Sequence, residues 1–212
     1  MIGPPPYGID KFSMVYMNAI TFRYFRQPHE FSTFSQTPKV CDLCGKARTG
    51  YSGPFYGINS VEFVCEQCLV NGNFADKDAF TNDGNLKELI AQLESQFSEL
   101  PKAEIKAIAK AKDSELIYRT PRIITWQDFS WPVHCGDYCC FLKEVGQPEL
   151  LAIAPEGQVY RLFESNNDDN FKNWWPNIRP DAPKDNTTAH SIGVYLFQCL
   201  NCREFIVLWD CD

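Results

Sequence analysis

VCDLCGKA at residues 40–47 and VCEQCLV at residues 64–70 decide how this chain is built, because each carries a Cys-x-x-Cys pair. Such a pair aims two sulfurs at one point from a single turn of backbone. Together, Cys41, Cys44, Cys65 and Cys68 have the count and spacing of a tetrahedral Zn2+ site with four thiolate ligands. In the first pair Gly45 follows the second cysteine and can take the positive φ that closes the knuckle. The second pair has Leu69 at that place, so its geometry has to come from another kind of turn. Four protein thiolates leave no open coordination position, so the expected ion is structural and not catalytic.

The segments around the knuckles fit a small metal-organised module over residues 20–80. Phe22, Tyr24, Phe25, Phe31 and Phe34 read as a strand and an extended aromatic stretch packing on it, and residues 61–64 read as a strand leading into the second pair. Loops of this kind bury little apolar surface, so the metal has to supply the folding energy. Residues 1–19 are rich in Pro and Met, lack periodicity and are expected to form an irregular arm.

Helical periodicity takes over in residues 81–118. Leu86, Leu89, Ile90, Leu93 and Phe97 recur at helical spacing, with Asn85 and Glu88 placed as an N-cap pair. A second helix is expected to begin at Pro101 with Ile105 and Ile108 on its buried side. Residues 119–212 then read as short strands rich in β-branched and aromatic residues: 123–131, 135–142, 150–153, 158–163, and a terminal hairpin with a knuckle at its tip. The run SNNDDNFKN at 165–173 reads as a surface loop. The expected class is α+β, with a zinc-ribbon-like front module, a short helical insert and a mainly antiparallel C-terminal part, packed as one unit.

That C-terminal part has its own cysteine group. Cys199 and Cys202 form a third Cys-x-x-Cys pair, and HCGDYCC at residues 134–140 offers Cys135 with Cys139 or Cys140. Strand alternation puts Cys139 and Cys140 on opposite faces. The preferred second Zn2+ set is Cys135, Cys139, Cys199 and Cys202, with His134, Cys140 or Cys211 as substitutes left open. Two occupied sites would clip together residues far apart in sequence.

Composition narrows the functional classes. Ten cysteines, with three consecutive prolines and no apolar run in the opening residues, favour thiolates on metal in the cytoplasm over disulfides in a secreted chain. No stretch reaches the roughly 20 apolar residues of a membrane span. The net charge of −7 repels phosphate backbones, and eight thiolates on two Zn2+ would take it to about −11. Lys102, Lys106 and Lys110 are the best local basic face and read as a solvated helix surface. The three histidines, His29, His134 and His190, fit no hydrolase spacing, and no phosphate-binding glycine loop occurs. A catalytic zinc at the second group would require a missing protein ligand and a carboxylate beside it, for which Asp137 and Asp128 are the candidates.

FRYFRQPHEFSTF at 22–34, the two front knuckles, RTPRIITWQDFSWPVHCGDYCCFLKEVG at 119–146 and the terminal FQCLNC and WDCD resemble the bacterial CbrC-like family of cysteine-rich proteins. The resemblance covers residues 22–212 and places Cys41, Cys44, Cys65, Cys68, Cys135, Cys139, Cys199 and Cys202 on the family's motif cysteines. It implies no enzymatic activity. The family is associated by name with colicin tolerance, and its members occur beside toxin genes, where they look like immunity proteins. One departure is Arg203, which follows the last pair where a glycine is common. The function expected is therefore zinc-stabilised binding of a protein partner, with toxin neutralisation as its specific form. Neither nucleic acid nor membrane is expected as a partner. A zinc-dependent enzyme at the second group is the competing expectation.

Overall fold

Short strands and tight turns force this chain to close its sheets by antiparallel pairing. The computed structural model describes residues 20–57, 61–154, 159–163, 175–178 and 192–211. The expected irregular arm, the polar 165–173 loop and His190 lie outside these residues. Strands β1 (Phe34–Val40), β2 (Ala47–Ser52) and β4 (Phe63–Cys65) form one three-stranded sheet in the order β1-β2-β4. β3 (Tyr56–Gly57) pairs with β5 (Ala79–Phe80). Behind the helices, β6 (Val133–His134) pairs with β7 (Asp137–Tyr138), and β8 (Cys140–Glu144), β9 (Ile192–Gln198) and β10 (Phe205–Cys211) form a second three-stranded sheet in the order β10-β9-β8. Every one of these strand pairs is antiparallel, giving the mixed α+β architecture expected.

The helices follow their local signals. A single turn, α1 (Pro28–Phe31), precedes β1, and α2 (Glu66–Val70) grows directly out of β4. α3 (Leu86–Gln96) begins at Asn85, whose side chain accepts the Glu88 N–H at 3.0 Å, as the N-cap reading predicts. α4 (Lys102–Arg119) follows Pro101, packs on α3 and buries Ile105, Ala109 and Leu116 in the shared core. Ile108, expected to be buried, is 36% exposed. The buried stripe of α4 steps from Ile105 to Ala109, one position past Ile108. Lys102, Lys106 and Lys110 are all exposed, as a solvated face should be.

Three segments read as strands take other forms. Residues 123–131 run as irregular chain, with Ile123 bridging Ser32 and Trp131 bridging Gly84. Asp210 accepts the N–H groups of Trp126 and Gln127, which satisfies backbone that a strand ladder would otherwise have paired. Residues 150–153 belong to helix α5 (Gln147–Ile153), started by Gly146, whose N–H donates to Glu149. Val159–Leu162 is a 3-10 turn. All three runs are short and apolar, and for such runs periodicity does not separate strand from helix.

One hydrophobic cluster joins front and back of the molecule. Phe22, Tyr24 and Phe25 meet Tyr51, Leu89, Ile105, Trp131, Tyr138, Phe141 and Phe197 in it. Each large side chain removed from water contributes about 1.5–3 kcal/mol. Edge-to-face contacts link Tyr24 with Tyr138, Phe25 with Phe141 and Trp131 with Phe197. A second cluster lies under α5 and the β8–β10 sheet and includes Leu150, Phe163, Val194 and Val207.

Candidate metal centres

The front centre is made where β1 turns into β2 and β4 turns into α2. The sulfurs of Cys41, Cys44, Cys65 and Cys68 all lie within 4.8 Å of one another, close enough for one metal ion. Gly45 has φ +68° and donates its N–H to the Cys41 carbonyl at 2.8 Å, while Cys41 N–H reaches the Lys46 carbonyl at 3.0 Å. This is the knuckle closure expected of that glycine. The second pair needs no such residue because Cys65 caps α2 and Cys68 sits in its first turn. Asp42 ties the two halves by accepting the N–H groups of Glu62 and Phe63 at 2.7 and 2.8 Å. Sulfur is supported too: Cys65 N–H points at Cys41 Sγ, and Asn73 donates to Cys68 Sγ.

The electrostatics of the four thiols differ with their surroundings. The Lys46 N–H holds the exposed Cys44 thiol down to about 7, while burial pushes Cys65 and Cys68 up. A divalent cation supplies the charge that lets all four ionise together.

The second centre joins two hairpin tips. In the first, His134 pairs with Asp137, leaving Cys135 and Gly136 as a two-residue loop with φ +52° and +67°. Positive φ at both central positions matches the twist of a tight hairpin. The other tip links β9 to β10 and carries Cys199 and Cys202. Its hydrogen bonds repeat the first knuckle: Arg203 N–H to Cys199 O at 3.2 Å, and Cys199 N–H to Glu204 O at 2.9 Å. Arg203 takes φ +68°, the conformation Gly45 adopts in front, so the missing glycine is replaced by a strained arginine.

The donor atoms of His134, Cys135, Cys199 and Cys202 lie within 4.8 Å of one another. His134 Nδ1 is 3.4 Å from Cys202 Sγ, and its Nε2 is 3.6 Å from a Glu204 carboxylate oxygen. Cys139, preferred from sequence as the fourth ligand, is outside this group. The two-residue loop turns the chain back so that Cys139 N–H meets the Pro132 carbonyl at 3.0 Å. Cys139 thus sits two residues, roughly 7 Å of strand, away from the loop end. It is 0% exposed, its carbonyl accepts Trp131 Nε1–H at 2.7 Å, and burial pushes its thiol up. Cys140 is also buried and pairs across to Gln198 on β9. Cys211 lies at the end of β10, where Gln127 donates to its carbonyl. Hydrogen bonding to Cys202 and burial raise the Cys135 thiol to about 11, whereas the Glu204 N–H lowers that of Cys202.

Both carboxylates considered as catalytic partners are engaged by other side chains. Asp137 is 3% exposed and fully engaged: Arg23 Nη2 donates at 2.6 Å, Tyr24 Oη at 2.8 Å and Tyr138 N–H at 2.9 Å, with Lys112 Nζ at 3.3 Å. Asp128 accepts from Tyr56 and lies 3.5 Å from Arg122. Arg23, Lys112 and Gln92, which hold the second hairpin in place, carried no motif that a sequence reading could single out.

No helix among the described residues is long and apolar enough to cross a membrane. The chain is 27% identical over 187 residues to the UPF0167 protein PA1536 of Pseudomonas aeruginosa, covering 86% of this chain and 92% of that protein. It is 23% identical over 196 residues to the UPF0167 proteins Mb2317 of Mycobacterium bovis and MT2352 of Mycobacterium tuberculosis, covering 89% of this chain and 91% of each. No solved structure matches it. Residues 20–211, which hold both donor groups, match the profile described as "Uncharacterised protein family (UPF0167)", and the chain belongs to that family.

Proposed function

We propose that both centres hold Zn2+ and that the protein acts by binding another protein, with a rigid surface that the metals keep in shape. The observation that supports this most is the donor count. Each centre offers four protein ligands of the soft N/S type that Zn2+ favours, and a filled tetrahedron leaves no position for a reacting water. The carboxylate best placed to serve as a base, Asp137, is spent on Arg23, Tyr24 and Lys112. Metal chemistry here is therefore architectural, and activity belongs to the surface.

The specific form of this reading is neutralisation of a toxin. It draws on the CbrC-like resemblance and on charge: at −7 before metal binding, the chain would steer toward a basic nuclease and occlude its phosphate-binding face. With a histidine among the ligands, seven thiolates instead of eight would bind the two ions, and the acidic balance persists. The test is co-expression with a panel of basic nuclease toxins, followed by measurement of toxin–protein affinity in increasing salt. Protection, and affinity that falls with ionic strength, are expected. If the chain neither protects nor binds, or if the zinc-loaded protein hydrolyses ester or phosphodiester substrates in a His134-dependent way, the binding role is wrong and the enzyme reading replaces it.

A further inference from the structure

The loop that carries Cys135 is held from behind by the helix pair. Gln92 on α3 grips it on both sides, its Oε1 accepting Gly136 N–H at 3.0 Å and its Nε2 donating to the Val133 carbonyl at 3.3 Å. Lys112 on α4 donates to the Gly136 carbonyl at 2.6 Å and stays 3.3 Å from Asp137. Asn201, from the opposite knuckle, donates to the Cys135 carbonyl at 2.8 Å. The fit is close: a Cβ on Gly136 would lie 2.6 Å from Gln96 Oε1 and 3.1 Å from Leu93 Cδ2. The hairpin geometry suits Gly136, but Cys135 at φ +52° carries a cost of about 1–2 kcal/mol that these outside contacts help to offset.

We propose that Gln92 and Lys112 are positioning residues for the second metal centre, so that the α3–α4 pair sets its metal affinity without contributing a ligand. This rests on the reading of His134, Cys135, Cys199 and Cys202 as a metal site. By fixing the loop backbone, the two side chains place Cys135 Sγ and the His134 ring before the ion arrives, which removes an ordering cost from binding. Residues that orient ligands without touching the metal change affinity by 10- to 100-fold in general. The coupling is reciprocal: whatever the seating of α3 and α4 adds to metal affinity, bound metal adds to the stability of that seating.

The experiment is a chelator titration of the full-length, zinc-loaded protein. Native mass spectrometry would count zinc, and alkylation mapping would show which cysteines are released. Gln92→Ala and Lys112→Met are expected to weaken the second zinc by about 10- to 100-fold, exposing Cys135, Cys199 and Cys202 at lower chelator concentration. Cys41, Cys44, Cys65 and Cys68 stay protected as in wild type. Gln92→Glu keeps the acceptor for Gly136 and loses the donor to Val133, so it recovers part of the affinity. Leu89→Ala, on the buried side of the same helix, lowers unfolding stability while removing none of the hydrogen bonds to the loop, and serves as the control for general loosening. Changes under about twofold in Gln92→Ala and Lys112→Met, equal weakening at both centres, or an equal loss in Leu89→Ala overturns the proposal. A wild-type protein that binds a single zinc, with Cys135, Cys199 and Cys202 freely alkylated, removes the metal reading itself and the proposal with it.

Discussion

Replacing His134 and Cys139 in turn separates the ligand set that the structure assembles from the one that spacing favours. His134 offers Nδ1 3.4 Å from Cys202 Sγ inside the donor group, whereas Cys139 is fully buried beside Trp131. Apparent binding energies for four-ligand structural zinc are about 10–16 kcal/mol, so one ligand accounts for roughly a quarter, about 3 kcal/mol. His134→Ala should therefore weaken the second zinc by about 100-fold. Cys139→Ala removes one buried sulfur and leaves a small cavity, which costs about 1 kcal/mol of folding stability and leaves the zinc count unchanged. The assay is zinc per chain against a graded chelator series, together with the Co2+ spectrum of the second centre, which distinguishes a three-sulfur, one-nitrogen set from four sulfurs. Loss of the second metal in Cys139→Ala, with its retention in His134→Ala, would refute the argument and restore Cys135, Cys139, Cys199 and Cys202 as the ligands.

Asp137→Asn takes the charge out of a buried carboxylate site that holds Arg23 and Lys112 together. Because these partners are 51% and 24% exposed and can rehydrate, the loss should be about 2–3 kcal/mol, below the range for a fully buried pair. A melting-temperature fall of roughly 5–10 °C in the metal-loaded protein checks it, and a shift under 2 °C would contradict it. Arg203→Gly should stabilise by about 0.5–1 kcal/mol by relieving φ +68°, while Gly45→Ala, at the matching place in the front knuckle, should destabilise by about 1 kcal/mol. Urea midpoints moving in the same direction for both would show that the two knuckles are not equivalent. Burial raises the carboxyl group of Asp113, which accepts a hydrogen bond from Tyr138 at 2.7 Å. A raised folded value means that folding favours the protonated acid, so the penalty is absent below the ordinary value of about 4 and grows as pH rises through the folded value. Asp113→Asn, compared with wild type at equal pH, should therefore gain stability near pH 7 and not near pH 4, and a pH-independent difference would be inconsistent with this.

Local rules were readable wherever a short stretch determines its own conformation. The Asn85 cap, the Gly45 closure and the Leu89/Leu93 stripe each depend on residues within about four positions, and all three occur as read. The failures share a cause. Residues 123–131 form only isolated bridges at Ile123 and Trp131, and in between Asp210, more than eighty positions away, accepts the N–H groups of Trp126 and Gln127. Ile108 turned outward because the packing of α4 on α3 chose the neighbouring stripe.

By itself the sequence determined that two groups of soft ligands exist, since Cys-x-x-Cys spacing is a property of one backbone turn. It also determined the α+β class, because short β-rich runs around a helical pair close only by antiparallel pairing. What the residue spacing left open, and the tertiary structure supplied, is the donor group that brings the His134 ring within 4.8 Å of the Cys135, Cys199 and Cys202 sulfurs. The two-residue Cys135–Gly136 loop places that ring, and Gln92, Lys112 and Asn201 hydrogen-bond the loop from elsewhere in the chain. Side-chain direction around a tight turn is set by what holds the turn, and that information is nonlocal.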